Sequence, residues 1–463
     1  MNTDLNPNPL VRFLGKPCCD FTRADLIRYV KENGIEMINL RYPGADGRLK
    51  TLNFVINDEA YLESILTCGE RVDGSSLFPY IEAGSSDLYV VPRYRTAFRN
   101  PFSEIPSLDI LCSYYTKDGE PFDMAPEQAL RRAHEELRRV TGFDFHVMGE
   151  LEFYVVSPKV DLFLAADQRG YHESTPFNKA AEFRMRAMQY IAQAGGEIKY
   201  GHSEVGNFTQ EGLMYEQNEI EFLPTDLEAA ADQLLVAKWI IRTLAYEYGV
   251  DVTFAPKITV GKAGSGLHIN LSLTMDGKNL FEGDIAPDSI PGSFMAGILR
   301  HSRELTAFTN PLPNSYLRFG CDEAPRYVSW SRQNRSQLVR IPQVKGDNCR
   351  MELRSPDPAC NPYLAIGLVL AAGLDGIENR MELSAPVNRN LFIPGEAAGL
   401  GLETLPASLE EAVEVARNSE FLHKFLPDEL SRRYYAEALR RCEALKNASD
   451  PAEYERVHYF NAI

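Results

Sequence analysis

Much that would announce a function is missing from this 463-residue chain. Its eight cysteines, at 18, 19, 68, 112, 321, 349, 360 and 442, form no C-x-x-C pair and no zinc spacing. Scattered thiols in a chain this long fit a reducing cytoplasm. No window approaches 18 consecutive apolar residues, so no membrane-spanning helix is expected. The opening MNTDLNPNPLVRFLGKP lacks a basic stretch followed by an apolar run, so no signal peptide is expected. Basic residues are short as well: 48 against 65 acidic, a net charge of −17. That argues against a nucleic-acid or anionic-membrane surface, although arginines can still gather in one pocket. There is no G-x-x-x-x-G-K-[ST] loop, which excludes a P-loop enzyme. Internal repeats and low-complexity blocks are also absent.

What is present reads as ordinary globular protein, 44% hydrophobic and 24% charged. The length calls for two or more domains, or one large catalytic domain with an accessory one. FTRADLIRYVKENG (21–34) predicts a helix capped by Thr22 with Asp25. Residues 36–56 predict two strands joined at Pro43–Gly47. Turn composition at 115–129 places a boundary, giving domains 1–118 and 119–463. Beyond it helices are predicted at 125–142, 178–196 and 225–249, the last capped by Thr225. Strands are predicted around 143–156, 197–205, 214–223 and 250–277, and at QLVRIP and CRMELRSPDP. Acidic strands interrupted by helices predict an α+β fold with a curved antiparallel sheet and one polar, concave face.

The chemistry begins at MGELEFYVV (148–156). Side chains two apart on a strand share a face, so Glu150 and Glu152 lie roughly 6.6 Å apart. At an effective dielectric near 20 they repel by about 2.5 kcal/mol. A solvated face would explain a single such pair. The pattern recurs, however: Glu219 and Glu221 in NEIEF, Glu204 in HSEV, His268 in GSGLHINLS, and Glu352 in RMELR. Carboxylates with one imidazole suit Mg²⁺ or Mn²⁺ better than structural zinc. Arg318, Arg335, Arg340, Arg350 and Arg354 fall within 37 positions. Arginine forks bind carboxylates and phosphates, or pair with the protein's own acids. Metal candidates and arginines together point to a polyanionic substrate, most simply a nucleoside triphosphate.

With these residues in place, the chain resembles a glutamine synthetase of the type I family, nearly end to end. The blocks DGSS (73–76), SDLYVVP, GELEF, HSEV, EQNEIEF, TFAPK, AGSGLHINLSL, TNPLPNSYLRF, EAPRYVSWSRQNRSQLVRIP and RMELRSPDPACNPYLAIGLVLAAGLDGI stand in family order. The resemblance implies a small N-terminal β-grasp-like domain and a larger catalytic domain, assembled as a homo-oligomer, commonly a dodecamer, with active sites between subunits. It implies ATP, glutamate and ammonium as substrates and two or more Mg²⁺ or Mn²⁺ ions per site. By resemblance, Glu152, Glu204 and Glu219 ligate one metal, and Glu150, His268 and Glu352 the other. Arg335, Arg340 and Arg350 face ATP phosphates or the transferred group, with Ser272 near the nucleotide. Arg318, Arg354 and Gly264 hold glutamate. Asp73 and Ser76 of a neighbouring subunit, with Tyr171 and Glu204, form the ammonium pocket, and Glu323 is the closing flap.

The match departs from the family pattern in four places. Ala263 stands where asparagine usually precedes the glycine loop, and Asn270 replaces the second histidine of H-x-H. The segment between Glu204 and Glu219 is about seven residues longer than usual, which makes Glu211 a rival ligand to Glu204. The Arg318–Glu323 interval is one residue short. Phe392 also occupies the position where adenylylated members carry tyrosine, so that modification is excluded there. Three activities follow: glutamate–ammonia ligation, ligation of glutamate or a related carboxylate to an organic amine, or a non-catalytic descendant. The acidic set weighs against the last.

Overall fold

The computed structural model describes residues 3–45, 47–78, 81, 84, 86–321 and 323–460. Five residues of the glycine- and serine-rich loop expected within 73–92, and Asp46 in the turn expected at 43–47, lie outside this set. The chain forms two compact units: residues 1–128, 182–198 and 232–249, and residues 129–181, 199–231 and 250–463.

In the first unit six strands make one sheet: β1 (Met37–Pro43), β2 (Leu49–Val55), β3 (Glu70–Asp73), β4 (Asp87–Pro92), β5 (Phe98–Arg99) and β6 (Ser107–Tyr115). Their order is β2-β1-β6-β4-β3, with β5 on β6. β1 and β6 run parallel and the other pairs antiparallel. The helix Arg23–Glu32 starts with the expected capping box between Thr22 and Asp25. It buries Leu26, Ile27, Tyr29 and Val30. Beneath the apolar layer sits a polar cluster. Asp109 is wholly buried and accepts hydrogen bonds from Asn39 Nδ2 at 2.6 Å and Arg41 Nε at 2.7 Å. The Arg41 guanidinium lies 4.3 Å from the Trp239 ring centroid, within cation–π range.

Among the described residues the second sheet has nine strands: β7 (Asp144–Pro158), β8 (Ile198–Gln210), β9 (Leu213–Phe222), β10 (Asp251–Thr253), β11 (Leu267–Met275), β12 (Lys278–Asn279), β13 (Trp330–Arg332), β14 (Val339–Ile341) and β15 (Met351–Leu353). Their order is β13-β14-β15-β11-β7-β9-β8, with β10 on β7 and β12 on β11. The recorded pairings are antiparallel except β13–β14. The apolar helix Pro362–Glu378 packs against Ile290–Thr309, where backbones meet closely. A Cβ at Gly376 would lie 2.1 Å from Ser293 O. That excludes any side chain there.

Two local expectations need correction. Thr225 does not cap the helix Leu227–Tyr248: its backbone is bridged to Val147 by two hydrogen bonds of 3.0 and 3.1 Å. The chain therefore stays extended one residue further, and Asp226 Oδ1 accepts from Ala229 N at 3.0 Å as the cap. The strand expected at 197–205 runs further: β8 spans Ile198–Gln210, with the turn at Glu211 and Gly212, both at positive φ. No described helix is long and apolar enough to cross a membrane.

Candidate active site

Strand register gathers the acids. On the β7–β9 pair Glu150 stands opposite Glu221, and Glu152 opposite Glu219. On β11, His268 stands opposite Glu150, and on β15 Glu352 is opposite Asn270. Arg340 on β14 completes the row opposite Glu352. Residues directly opposite in an antiparallel pair share a face. One face of five consecutive strands therefore carries carboxylates, an imidazole, an amide and a guanidinium. Above it lies a cavity of about 200 Å³. Its lining includes Glu150, Glu152, Glu204, Glu219, His268, Arg318, Arg335, Arg340, Arg350 and Arg354, and also Tyr171, Gly264 and Glu323.

Two expected residues lie elsewhere. Asp73 and Ser76 belong to the first unit and do not line this cavity. There Asp73 accepts from Ser75 N, Ser75 Oγ and Ser76 Oγ at 2.7–3.0 Å. Hydrogen bonds from Ser75, Ser76 and Ser86 hold its carboxyl far below the usual range. Two others sit just outside the lining. Glu352 is wholly buried behind the cavity wall. Ser272 is buried on β11, opposite His146.

Three sets of donor atoms come within 4.8 Å of one another: Glu150, His268 and Glu352; His202, Glu204 and Glu219; and Glu150, Glu219 and Glu221. The first is the expected trio. In the second, His202 takes the place expected for Glu152. Glu152 Oε2 accepts from Gly266 N at 2.6 Å and Gln217 Nε2 at 3.2 Å beside this set. Glu211, the rival to Glu204, is exposed at the tip of the β8–β9 hairpin and joins no such group.

The electrostatics are those of crowded anions. Burial, then the charge of Glu204, pushes Glu152 up to about 8. Burial and the neighbouring Glu150, Glu152 and Glu204 hold Glu219 well above the carboxylate range. Burial also raises Glu204. His268 is pushed well below its ordinary value, first by burial and then by Arg354, so its ring is neutral with a lone pair to give. Buried like charges, a neutral imidazole and oxygen donors fit hard divalent cations, whose binding would relieve the repulsion.

The arginines divide by what they touch. Arg354 pairs with Glu352 at 2.5 Å and donates to Arg335 O and Glu323 O. Arg318 donates to Ser355 O at 2.8 Å and Arg354 O at 3.1 Å. Burial lowers its pKa. Arg340 Nε lies 2.7 Å from Glu352 Oε2, an ion pair without hydrogen-bond alignment. Arg350 Nε donates to Asn270 Oδ1 at 2.8 Å, while Asn270 Nδ2 donates to Glu150 Oε1 at 3.0 Å. Asn270 thus links the Glu150 carboxylate to the Arg350 guanidinium. Arg335 is exposed at the cavity, and Glu323 is exposed there with φ of 70°.

Four further polar lining residues escaped sequence reasoning as site members: Gln168, Tyr200, His202 and Gln217. Period-two spacing from Glu204 would have found Tyr200 and His202 on β8, and the same spacing from Glu219 would have found Gln217. Glu221 was visible beside Glu219. Gln168 lies in an irregular segment with no periodic signal.

A mostly antiparallel sheet whose polar face joins carboxylates, imidazole and arginines, in a chain with a β-grasp-type sheet, carries the donor set of a candidate metal and polyanion site. Residues 34–117 match the glutamine synthetase beta-Grasp domain model and residues 123–459 the glutamine synthetase catalytic domain model. The chain belongs to the glutamine synthetase family. A glutamine synthetase of Methanosarcina mazei is 34% identical over 449 residues, covering 94% of this chain and 97% of that protein. One of Thermotoga maritima is 34% identical over 420 residues, covering 88% and 92%. Among solved structures, Plasmodium falciparum glutamine synthetase gives a TM-score of 0.81 at 21% identity, covering 95% of this chain and 99% of that one. A GmaS/ADP complex gives 0.79 at 23% identity, covering 93% and 98%. These last two share the fold.

Proposed function

We propose that this chain is an ATP-dependent glutamate–ammonia ligase that forms glutamine through a γ-glutamyl phosphate. The observation that carries the reading is a cavity in which buried carboxylates and the imidazoles of His202 and His268 face five arginines. Glutamate's carboxylates would meet Arg318 and Arg354, with Gly264 close by through its backbone. Arg335, Arg340 and Arg350 would hold ATP phosphates, with Ser272 near the nucleotide. Glu150, His268 and Glu352 would hold one Mg²⁺ or Mn²⁺, and Glu152, Glu204 and Glu219 a second. Such ions, when bound, neutralise phosphate oxygens as Lewis acids.

A free carboxylate is a poor acyl donor. Its γ-oxygen therefore attacks the γ-phosphorus of ATP, and ADP leaves. The arginines offset the charge that builds on the transferred phosphoryl group. Asp73, kept ionised by serine hydroxyls, attracts ammonium together with Ser76, Tyr171 and Glu204. It takes up the ammonium proton once those hydroxyl bonds loosen. Ammonia then attacks the acyl carbon and phosphate departs. Glu323 covers the acyl phosphate against water. In this reading the protein is a cytoplasmic homo-oligomer, a dodecamer with Asp73 and Ser76 supplied by a neighbouring copy. Residues 1–118 form the N-terminal domain and residues 119–463 the catalytic one.

One observation favours a second acceptor class. Tyr171, Tyr200 and His202 line the cavity beside Glu204 and Glu219. Aromatic rings next to carboxylates also suit an organic ammonium. ADP release from purified protein, glutamate and either ammonium or an amine panel separates the readings. Saturable ammonium-dependent glutamine formation is the expected result. Turnover only with an amine overturns the first reading, and inactivity with every pair overturns both.

A further inference from the structure

We propose that Gln168 is a specificity-determining residue for the amino-acid substrate, its carboxamide serving the cavity beside a position, 263, that offers only a methyl group. This rests on reading the cavity as a glutamate site. Gln168, Ala263, Gly264 and Arg318 all line it. Gly264 and Arg318 are in close contact: a Cβ on Gly264 would come within 3.2 Å of Arg318 Cγ and 2.4 Å of Pro256 O. Gln168 Oε1 accepts from Ala263 N at 2.8 Å. This bond places the amide at the Gly264–Arg318 end, away from the phosphate-side pair Asn270–Arg350.

The carboxamide is held rather than floating. Gln168 adopts φ of 56°, the left-handed region that side-chain-bearing residues rarely occupy. Its own N–H donates to Asn207 O at 2.8 Å. Asn207 belongs to the lengthened β8 segment. Gly170 N donates to Val205 O on the same strand, and a Cβ at Gly170 would sit 2.6 Å from Glu204 O. The segment therefore lies directly on β8. On the other side Asp167 pairs with Lys262 at 2.5 Å, next to Ala263. The alanine at 263 and the longer hairpin, unrelated in sequence, thus meet at one side chain.

That side chain retains donor capacity. An amide nitrogen has two N–H groups. At most one reaches Asn207 O, over a long 3.4 Å. The other is available to a substrate carboxylate or carbonyl oxygen on the Arg318 side. A neutral donor there completes a carboxylate site whose charge is matched by arginine.

The test uses full-length protein as wild type, Q168A, A263N and Q168A/A263N. Steady-state ADP release gives KM for L-glutamate and for ATP, and calorimetry gives the L-glutamate Kd. Q168A is expected to raise glutamate KM and Kd about tenfold while ATP KM moves less than about twofold. Q168A/A263N is expected to recover a factor of about three or more, because asparagine fits the space Gln168 leaves. Loss of a merely structural contact would raise both KM values together and would not be rescued from position 263. Glutamate affinity in Q168A within about twofold of wild type, or parallel KM increases without rescue, overturns the proposal. Wild type that neither binds nor turns over glutamate overturns the glutamate-site reading itself, a failure seen before any variant is made.

Discussion

Each unit builds a polar cluster on a sheet, and the two clusters follow opposite rules. In the first unit the charges are matched. Asp109 has Arg41 and Asn39, and Arg93 grips Asp232 through two hydrogen bonds of 2.7 Å. In the second, Glu150 faces Glu221 and Glu152 faces Glu219. Like charges directly opposite on a sheet destabilise it. A balanced buried cluster specifies the fold. Crowded acids in a cleft mark a candidate binding site.

That contrast can be broken experimentally, and the largest effect is expected in the unbalanced cluster. Glu150→Ala should lower ATP turnover by about 10³-fold, with a melting temperature equal to or above wild type. ADP release and a thermal melt check both halves. Undiminished turnover would remove Glu150 from the metal set. In the balanced cluster the outcome inverts: Asp109→Ala should cost about 3–5 kcal/mol, because Arg41 is left buried without its partner. Urea unfolding measures this.

A smaller effect concerns the unbalanced cluster without metal. In chelator, Glu219→Gln should stabilise the protein by about 1 kcal/mol at neutral pH, because a carboxyl with a raised folded pKa costs stability above its unfolded value and glutamine does not titrate. In wild type, added Mg²⁺ should raise the melting temperature, and Glu219→Gln should blunt that rise. Equal Mg²⁺ responses would contradict the assignment.

The smallest effect tests a third cluster, where one titratable imidazole sits between two carboxylates. His301 is bonded to Asp375 at 2.8 Å and Glu304 at 3.1 Å. Burial opposes its charge, but these two carboxylates raise its pKa overall. A raised folded pKa gives stability that is complete below about pH 6.5 and lost as pH rises through the folded value. His301→Gln should therefore cost about 1.5 kcal/mol at pH 6 and less at pH 8. Unfolding curves at the two pH values report the difference.

Much of this was legible in the chain. Period-two spacing placed Glu150 with Glu152 and Glu219 with Glu221, because strand geometry fixes side-chain faces locally. The Thr22–Asp25 box was legible for the same reason. Thr225 was misread because a tertiary bridge to Val147 held it extended, and that bridge has no local signature. In sequence Glu204 is preferred to Glu211 because GGEIKYGHSEV matches the preceding strand; the hairpin sets Glu204 among the acids and Glu211 at the turn. Glu152 lines the cavity as expected, and only the fold shows that Gly266 and Gln217 donate to one of its oxygens.

The sequence by itself determined the family, the alternation of the acidic strands and the inventory of arginines. These depend on residue type and on spacing along one strand or one motif. Only the tertiary structure decided which acids crowd together, that His202 stands among them, and that Gln168 meets Ala263 from 95 positions away. Those outcomes depend on strand order and register between distant segments, which local propensity does not encode.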